Sequence, residues 1–340
     1  MLPRGAQKPW IVGGRPHLPE RNPVPSPTMD ITIQNFETEL IQASTQQPVL
    51  LDIWAPWCAP CRTLGPILEK VEKAYGGRFK LAKLNSDDQP EIAGQLSQAF
   101  GVRSIPFCVL FDQGQPVDGF VGALPEAQVR EFLDRHVPSE QALEAEAEAE
   151  AAEALEADGD VDAALTKLQQ AVAIDPANDG ARCDYIKLLL ETGRTAQARA
   201  AWEPVAGKAP LDSRIAALGH WLAACEKAPG ARSAAALDAA IAANRRDFDA
   251  RFELAQTLFA AGRFTDAMDA LLEIVMRDKE WNGQVARKTY VAILELMTKP
   301  APKAGPEQAK GALEVTGKQA AASADPVVDQ YRRKLSMALF

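Results

Sequence analysis

The sequence is poor in long apolar runs, in cysteine, in histidine and in positive charge. No apolar run approaches the ~20 residues that a membrane-spanning helix requires, so we predict no membrane span. Five cysteines in 340 residues are too few for a disulfide-stabilised scaffold, and the three histidines are isolated from one another as metal ligands. The formal net charge of −9 gives no reason to expect nucleic-acid binding. These features describe an ordinary globular protein with no predicted metal or organic cofactor.

The negative charge is concentrated in one segment. Residues 140–160 contain nine acidic residues and no basic one, whereas the rest of the chain is close to neutral. Within this segment, residues 143–150 alternate between alanine and glutamate after a leucine. Such a run is typical of a solvated helical connector, which we predict over 139–158; a partner-binding acidic patch is the alternative.

The N-terminal segment 1–28 fits no common targeting sequence. It contains seven prolines and four basic residues but no apolar stretch of the ~7–15 residues found in secretory signals. So much proline also excludes an amphipathic presequence helix. The apparent domain begins at Met29, so residues 1–28 are predicted to be a disordered extension or to precede the true start. A cytoplasmic location is expected in either case.

Residues 29–138 alternate between strand and helix patterns. Val49 to Trp54 is a short apolar run interrupted only by Asp52, as expected of a buried central strand. A short strand and a helix are expected over 31–45. The further predictions are strands at 79–84, 107–111 and 117–121 and helices at 63–75, 92–100 and 125–136. This order predicts an α/β domain with a central mixed sheet flanked by helices.

From residue 139 the pattern is helical and repetitive. A spacing of 34 residues separates Gly159 from Gly193, Ala164 from Ala198, and Pro176 from Pro210. Gly262 and Ala267 lie 69 residues beyond Gly193 and Ala198, which is two repeats plus one residue. This spacing matches the period of about 34 residues of the tetratricopeptide repeat (TPR), in which a glycine ends the first helix and a small alanine allows close packing of the second. We therefore predict an all-α, TPR-like superhelical domain over 139–298, with a degenerate repeat at 211–245.

The end of the chain has a different composition. Residues 299–325 are rich in lysine, alanine, proline and glycine and are predicted to be a flexible insertion. A final helix is predicted over 326–340, opened by Asp325 and Pro326. Its apolar stripe has two interpretations, either a cap on the last repeat or a docking element for a partner; the residues concerned are Tyr331, Leu335, Leu339 and Phe340.

The chemistry is expected at Cys58-Ala59-Pro60-Cys61, where a strand leads into a helix. Two intervening residues place both sulfurs in the first helical turn, where free N–H groups and the helix dipole favour a thiolate at Cys58. Cys61 would then resolve a mixed disulfide, and Pro60 fits the first turn because its missing N–H has no helical partner. A structural disulfide, a zinc-ligand pair and an unused pair are the alternatives. Disulfide exchange is favoured over zinc binding because zinc needs four ligands and the three histidines are isolated in the sequence. It is favoured over a structural disulfide because a reducing compartment is expected.

Residues 30–137 resemble a thioredoxin along their whole length. The resemblance rests on the W-C-x-P-C motif with Asp52 before it, on Ala82-Lys83-Leu84-Asn85, on Ser104-Ile105-Pro106 and on Val121-Gly122-Ala123. It implies a thioredoxin fold in which Asp52, acting through water, accepts a proton from Cys61, with Lys83 as its neighbour. It also implies a cis Ile105–Pro106 bond facing the cysteines. The predicted substrate-binding residues are Trp57, Pro60, Ile105, Pro106 and Gly122.

The chain departs from the thioredoxin pattern at three positions. Ala59 replaces the usual glycine between the cysteines, and Phe107 replaces the usual threonine after the proline, with Cys108 next to it. Cys108 is predicted to be a buried strand residue; a redox-sensing third thiol is the alternative. Cys183 and Cys225 are predicted to be packing residues of helices. Burial in the apolar strand would raise the pKa of Asp52 and suit it to accept a proton near neutral pH.

A thioredoxin domain followed by TPR-like repeats and a short basic helix resembles the YbbN/CnoX chaperedoxin family. The resemblance implies a cytoplasmic co-chaperone that holds unfolded or oxidised client proteins, protects their cysteines and passes them to the GroEL and DnaK systems. Because Cys58 and Cys61 are both present, thiol–disulfide oxidoreductase activity is expected, with thioredoxin reductase as the reductant. The alternatives are a plain disulfide reductase that its repeats target to one partner, and a TPR scaffold with incidental redox activity.

Overall fold

The computed structural model describes residues 29–298 and 325–339. The chain divides into two compact units between Val137 and Pro138. The predictions for residues 1–28, for 299–324 and for Phe340 lie outside the described residues. Within the described ranges, no helix is both long enough and apolar enough to cross a membrane.

The first unit is built on a five-stranded mixed sheet. Its strands lie in the order β1-β3-β2-β4-β5, with β2 at the centre. The three strands β1, β3 and β2 are parallel, and β4 and β5 run antiparallel to their neighbours. The bounds are β1 (Met29–Asp30), β2 (Val49–Trp54), β3 (Lys80–Asn85), β4 (Phe107–Asp112) and β5 (Gln115–Val121). This is the predicted thioredoxin fold.

Three α-helices accompany the sheet, namely α1 (Ala59–Ala74), α2 (Pro90–Phe100) and α3 (Glu126–Asp134). Helix α1 begins at the turn that was predicted to contain both cysteines, ahead of the apolar repeat at Thr63, and ends as predicted before Gly76 and Gly77, which both have positive φ. The prediction for residues 31–45 needs correction. The strand, β1, lies before residue 31, and the helix is a π-helix over Phe36–Gln42 followed by a 3-10 turn over Ala43–Thr45. Leu40 is the one buried side chain of that π-helix. A single buried position gives no apolar periodicity from which the type of helix could be predicted.

The central strands β2 and β4 are buried on both faces. Leu50, Cys108 and Leu110 contribute to a core layer shared with α1 and α3. Leu51 and Val109, which alternate with them, belong to the opposite layer, shared with α2 and the π-helix. Because successive side chains of a strand point to opposite faces, Asp52 lies on the same face as Leu50, towards α1.

The second unit is entirely helical in its described part. Its helices are α4 (Glu140–Ala157), α5 (Val161–Ile174), α6 (Asp179–Glu191), α7 (Thr195–Trp202), α8 (Ser213–Lys227), α9 (Ala234–Ala243), α10 (Phe248–Ala260), α11 (Phe264–Arg277), α12 (Trp281–Met297) and α13 (Pro326–Leu339). Successive helices such as α4 and α5 or α10 and α11 pack against each other. A short 3-10 turn over Ala228–Gly230 separates α8 from α9, where the repeat was predicted to degenerate.

The repeat residues occupy the predicted positions. Gly159, Gly193 and Gly262 follow α4, α6 and α10 and have φ values of 83°, 70° and 72°. This left-handed conformation ends a helix at little steric cost only for glycine. The alanines of the following helices, Ala164, Ala198 and Ala267, are fully buried. The recurring sequence spacing therefore corresponds to helical hairpins with close-packed second helices.

The acidic segment is helical, but the prediction that it is a solvated connector is wrong. It forms α4, the first helix of the first hairpin, which packs along α5. Ala145 and Ala152 are buried against this neighbour, and Glu148 forms an ion pair with Lys167 of α5 at 2.7 Å. Small alanine side chains let the two helices approach closely, while the intervening glutamates remain at the surface.

Helix α13 covers the end of the second unit. Tyr331 and Leu335 are buried among residues of the helical core, and Leu339 is partly buried there. The Tyr331 hydroxyl donates to Asp269 at 3.0 Å, and its carbonyl oxygen accepts a hydrogen bond from Tyr290 at 2.8 Å. The stripe therefore faces the interior of its own unit, which corresponds to the capping interpretation.

We predict that two glycine-to-alanine substitutions in the first unit have opposite effects. At Gly119 of β5 a Cβ atom would lie 2.7 Å from the backbone oxygen of Cys108, so Gly119→Ala should lower the free energy of unfolding by about 1–3 kcal/mol. At Gly94 of α2 a Cβ atom meets nothing within 4 Å, so Gly94→Ala should raise it by about 0.5–1 kcal/mol. Hydrogen exchange of the β4 amides measures both. A Gly119→Ala variant that is as stable as the wild type would contradict this packing of β5 on β4.

Candidate active site

Cys58 and Cys61 form a disulfide at the junction of β2 and α1. The S–S distance is 2.02 Å and the two Cα atoms are 5.3 Å apart. Cys58 is the N-cap residue of α1, and its sulfur accepts a hydrogen bond from the backbone N–H of Cys61 at 3.2 Å. Pro60 is the second helical residue, where no intrahelical N–H is needed. Both sulfurs therefore lie in the first turn, at the positive end of the helix dipole.

The disulfide is largely enclosed, but its neighbour is not. Cys58 and Cys61 are 3% and 4% exposed and cluster with Ala55, Trp54 and Ile105. Trp57, by contrast, is 67% exposed. Its indole N–H donates to the carboxylate of Asp87, at 3.1 and 3.2 Å from the two oxygens. An exposed aromatic surface is thus held beside the redox pair by a contact that the sequence analysis did not identify.

The loop before β4 completes the surroundings of the disulfide. The Ile105–Pro106 peptide bond is cis, as the resemblance implies. Ile105 packs against the cluster that contains both cysteines. The Pro106 carbonyl accepts a hydrogen bond from the N–H of Gly122 at 2.8 Å. Of the five predicted substrate-binding residues, Trp57 and Pro60 are adjacent to the cysteines in the chain and Ile105 packs against them. Pro106 follows Ile105, and Gly122 is joined to Pro106 by this hydrogen bond.

Asp52 is a buried carboxylic acid in the central strand. It is 2% exposed and pairs in register with Lys83 on β3 and with Cys108 on β4. Burial raises the pKa of Asp52 to about 6, while a hydrogen bond from Cys108 and the positive charge of Lys83 oppose that rise. Lys83 is the predicted neighbour, and its ammonium group also forms an ion pair with Glu69 of α1.

Cys108 is fully buried, and its thiol donates to Asp52 Oδ1 at 3.6 Å. Burial, the negative charge of Asp52 and this hydrogen bond raise the pKa of the Cys108 thiol well above its usual range. A thiol that stays protonated is a weak nucleophile, so the environment favours a buried strand residue over a reactive third thiol. The contact was not predicted from the sequence. Strand alternation on β2 and β4 was the available signal.

The remaining cysteines lie in the second unit. Cys183 is 3% exposed, and Cys225 is partly buried with its thiol 3.7 Å from the carbonyl oxygen of Ala260. Burial raises the pKa of each thiol to about 11. Both are therefore packing residues, as predicted. Across residues 29–298 and 325–339, no group of three or more histidine, cysteine or acidic side chains is placed to hold a metal ion.

Comparison with known proteins assigns each unit to a family of sequences. Residues 27–135 match the Thioredoxin family, and residues 155–222 and 227–310 match two families described as Tetratricopeptide repeat. Thioredoxin 1 of Nostoc sp. is 38% identical over 112 residues, which are 33% of this chain and 99% of that protein. Thioredoxin of Chlorobaculum thiosulfatiphilum is 42% identical over 108 residues, 32% of this chain and 94% of that protein. Thioredoxin of Haemophilus influenzae is 39% identical over 105 residues, 31% and 94% of the two chains.

The part of this chain that matches the thioredoxins, residues 27–135, contains every residue of the site around Cys58 and Cys61. This chain spans nearly the full length of these relatives, and its Cys58–Cys61 disulfide lies at a helix N-terminus beside a cis proline loop. Two-thirds of the chain, including the repeats, lies beyond the relatives. The chain therefore belongs to the thioredoxin family: it consists of a thiol–disulfide oxidoreductase domain followed by a domain of tetratricopeptide repeats.

Proposed function

We propose that this protein is a cytoplasmic, redox-active co-chaperone whose thioredoxin domain reduces the oxidised cysteines of unfolded clients while its helical domain holds them. The observation that supports this most directly is the presence, in one chain, of the Cys58–Cys61 disulfide and a TPR array. Repeat arrays offer extended surfaces for protein partners. Transfer of clients to GroEL and DnaK, and a place in the response to oxidative stress, are parts of the proposal that rest on the resemblance to chaperedoxins.

In the proposed reaction the reduced pair acts on a client disulfide. The Cys58 thiolate attacks one client sulfur, forming a mixed disulfide and releasing the other client sulfur as a thiolate, which takes up a proton. Cys61, after losing its proton, attacks Cys58 and releases the second client thiolate. The client gains two electrons, and the Cys58–Cys61 disulfide is left in the protein. A reductase of the thioredoxin reductase class would return two electrons and two protons to restore the dithiol.

Asp52 is the proposed acceptor for the Cys61 proton. It lies on the face of β2 that is directed towards α1, the helix containing Cys61. With a pKa raised to about 6, its carboxyl group is mostly ionised at neutral pH and remains basic enough to take a proton. The same burial makes the charged form unfavourable to the fold. Asp52 should therefore support turnover at the expense of stability.

The co-chaperone proposal predicts that holding and reduction are separable. The double variant Cys58→Ser/Cys61→Ser should keep an unfolded, cysteine-free client soluble as well as the wild type does, because the repeats need no thiol to bind apolar segments. The same variant should lose essentially all insulin reduction, which requires both sulfurs. Light scattering of the client and turbidity of reduced insulin measure the two activities.

Two outcomes would contradict the proposal. If the wild type reduces insulin but suppresses no aggregation, a reductase targeted by its repeats becomes the better account. If the wild type suppresses aggregation but reduces nothing, the repeats act as a scaffold with an incidental cysteine pair.

For Asp52→Asn we predict a gain in stability and a loss of activity. The wild-type fold carries a penalty for the charged carboxylate that is absent below pH 4 and complete above pH 6, because the folded pKa is raised from 3.8 to about 6. Asparagine should thus raise the free energy of unfolding at pH 8 by up to about 3 kcal/mol, with little gain at pH 4. Insulin reduction at pH 7 should fall by at least about 10-fold without the proton acceptor.

The matched control is Glu131→Gln, at an exposed position on α3. This substitution removes the same charge and should leave both measurements unchanged. Unfolding in urea at pH 4 and pH 8 reports stability. An Asp52→Asn variant as active as the wild type at pH 7 would exclude the proton-acceptor role.

A further inference from the structure

The second unit contains a cleft of about 510 Å³ lined by helices from both ends of the array. Helices α4 and α5 contribute to one part, α6 and α8 to another, and the end of α12 to a third. A volume of this size falls in the range of sites that enclose small ligands or a few side chains. Part of its lining is apolar, formed by Leu168, Leu218, Leu296 and Met297.

The charged part of the lining is unbalanced. Four carboxylates contribute to it, Glu153, Glu156, Asp184 and Glu295, against two cations, Lys187 and Arg214.

Both of these cations are already paired. Arg214 forms an ion pair with Asp184, and Lys187 forms one with Glu191 at 3.5 Å. Arg332 donates to Thr298 at the edge of the cleft, but it too is paired, with Asp329 at 3.6 Å.

Three carboxylates in the cleft therefore have no cationic partner among residues 29–298 and 325–339. Glu153 and Glu156 are exposed on α4, and Glu295 accepts a hydrogen bond from the Ser213 hydroxyl at 2.8 Å. Unneutralised carboxylates beside an apolar floor attract a group that is apolar and cationic at once.

We propose that this cleft binds client segments in which a large apolar side chain is flanked by lysine or arginine. The apolar side chain would cover Leu296 and Met297, the half-buried apolar residues of the lining, and the flanking cation would pair with Glu153, Glu156 or Glu295. The inference rests on the proposed client-holding function and narrows it, since the cleft would reject segments flanked by acidic residues. Opposite charge across an interface favours the right partner and disfavours the wrong one by like-charge repulsion.

The test uses the full-length protein and two fluorescein-labelled peptides of alternating leucine and lysine or leucine and glutamate. Fluorescence anisotropy should show the lysine peptide binding at least about 10-fold more tightly, with an affinity that falls as salt is raised. The variant Glu153→Gln/Glu156→Gln/Glu295→Gln should weaken its binding by about 10-fold. The control Glu140→Gln/Glu144→Gln/Glu150→Gln removes three exposed charges of α4 outside the cleft and should bind like the wild type.

The outcomes separate this inference from the proposed function. Equal binding of both peptides, or an unchanged affinity in the cleft variant, would overturn the inference even if the protein suppresses client aggregation. A wild type that suppresses no aggregation would overturn the co-chaperone proposal even if the cleft binds the lysine peptide. Equal losses in the cleft variant and in the control would show a general effect of acidity and would also overturn the inference.

A second inference concerns Cys108 and rests on a separate observation. Its thiol lies directly opposite Asp52 across the β2–β4 pair and donates to the carboxylate. The charged group that acts on Asp52 is Lys83 of β3. Lys83 in turn is paired with Glu69 of α1 and interacts with Glu72 of the same helix, whose carboxylate accepts from the N–H of Leu81. In the described part of the chain, the Cys108 thiol is the group that donates a hydrogen bond to the Asp52 carboxylate.

We infer that Cys108 is a positioning residue for Asp52 and that its thiol serves as a donor without taking part in electron transfer. The contact holds the carboxylate in one orientation and stabilises its charged form in a buried site. The inference rests on the proposed role of Asp52.

Two substitutions isolate the donor. Cys108→Val removes the hydrogen bond at similar volume, and Cys108→Ser keeps a donor. In Cys108→Val the acid limb of the pH profile of insulin reduction should move up by roughly 0.5–1 pH unit, with the rate above pH 8 unchanged. In Cys108→Ser the limb should stay at or below its wild-type position. Equal shifts in both variants would overturn the inference, and no shift in Cys108→Val would overturn either the inference or the proposed role of Asp52.

Carbon-13 NMR titration of the Asp52 carboxyl group distinguishes the two failures. If Cys108→Val raises the pKa of Asp52 but leaves the activity profile unchanged, the contact stands and the proton-acceptor proposal fails. If the pKa of Asp52 is the same in Cys108→Val and the wild type, the Cys108 inference itself fails.

Discussion

The central strand β2 is the constraint on which the site depends. Both of its faces are covered, so its side chains are positioned by core packing, and it ends directly before the turn that begins α1. One rigid element therefore sets the position of the Asp52 carboxylate and of the disulfide at the helix N-terminus. Catalytic groups on such elements are held more accurately than groups on loops. The exposed Trp57 and the loop at Pro106 surround this fixed centre.

Burying an ionisable group in that strand has opposite consequences for folding and for chemistry. Desolvation raises the pKa of Asp52, and Cys108 and Lys83 offset only part of the rise. A strand of purely apolar residues would be more stable at neutral pH but would offer no proton acceptor. Since Lys83 is also paired with Glu69, its charge is shared between two carboxylates, which limits its stabilisation of Asp52. The fold thus tolerates an unfavourable charge where the proposed reaction needs a base.

Features that depend on a local sequence pattern could be predicted, whereas contacts that depend on packing between distant segments could not. The apolar run of β2, the glycines after α4 and α6 and the cysteine spacing each carry a local signal, and each prediction was confirmed. The first turn of α1 was correctly expected to contain both cysteines, although the apolar repeat begins only at Thr63 and the turn itself is held by the Cys58 cap. The Cys108–Asp52 contact depends on the register of two strands that are far apart in the chain, which only the packed sheet determines.

Helix α4 shows how one composition supports two properties. Alternating glutamate and alanine gives almost no apolar face by residue type, so the pattern predicts a solvated helix. The packing of α4 depends on side-chain size and not on hydrophobicity. The small side chains of Ala145 and Ala152 let α5 approach closely, and the longer glutamate side chains extend past the contact. Glu148 then pairs across to Lys167, whereas Glu153 and Glu156 reach the cleft, where no described cation neutralises them. The charge of a surface run is therefore informative once the cations of its neighbours are counted, because only the uncompensated part is left to select a partner.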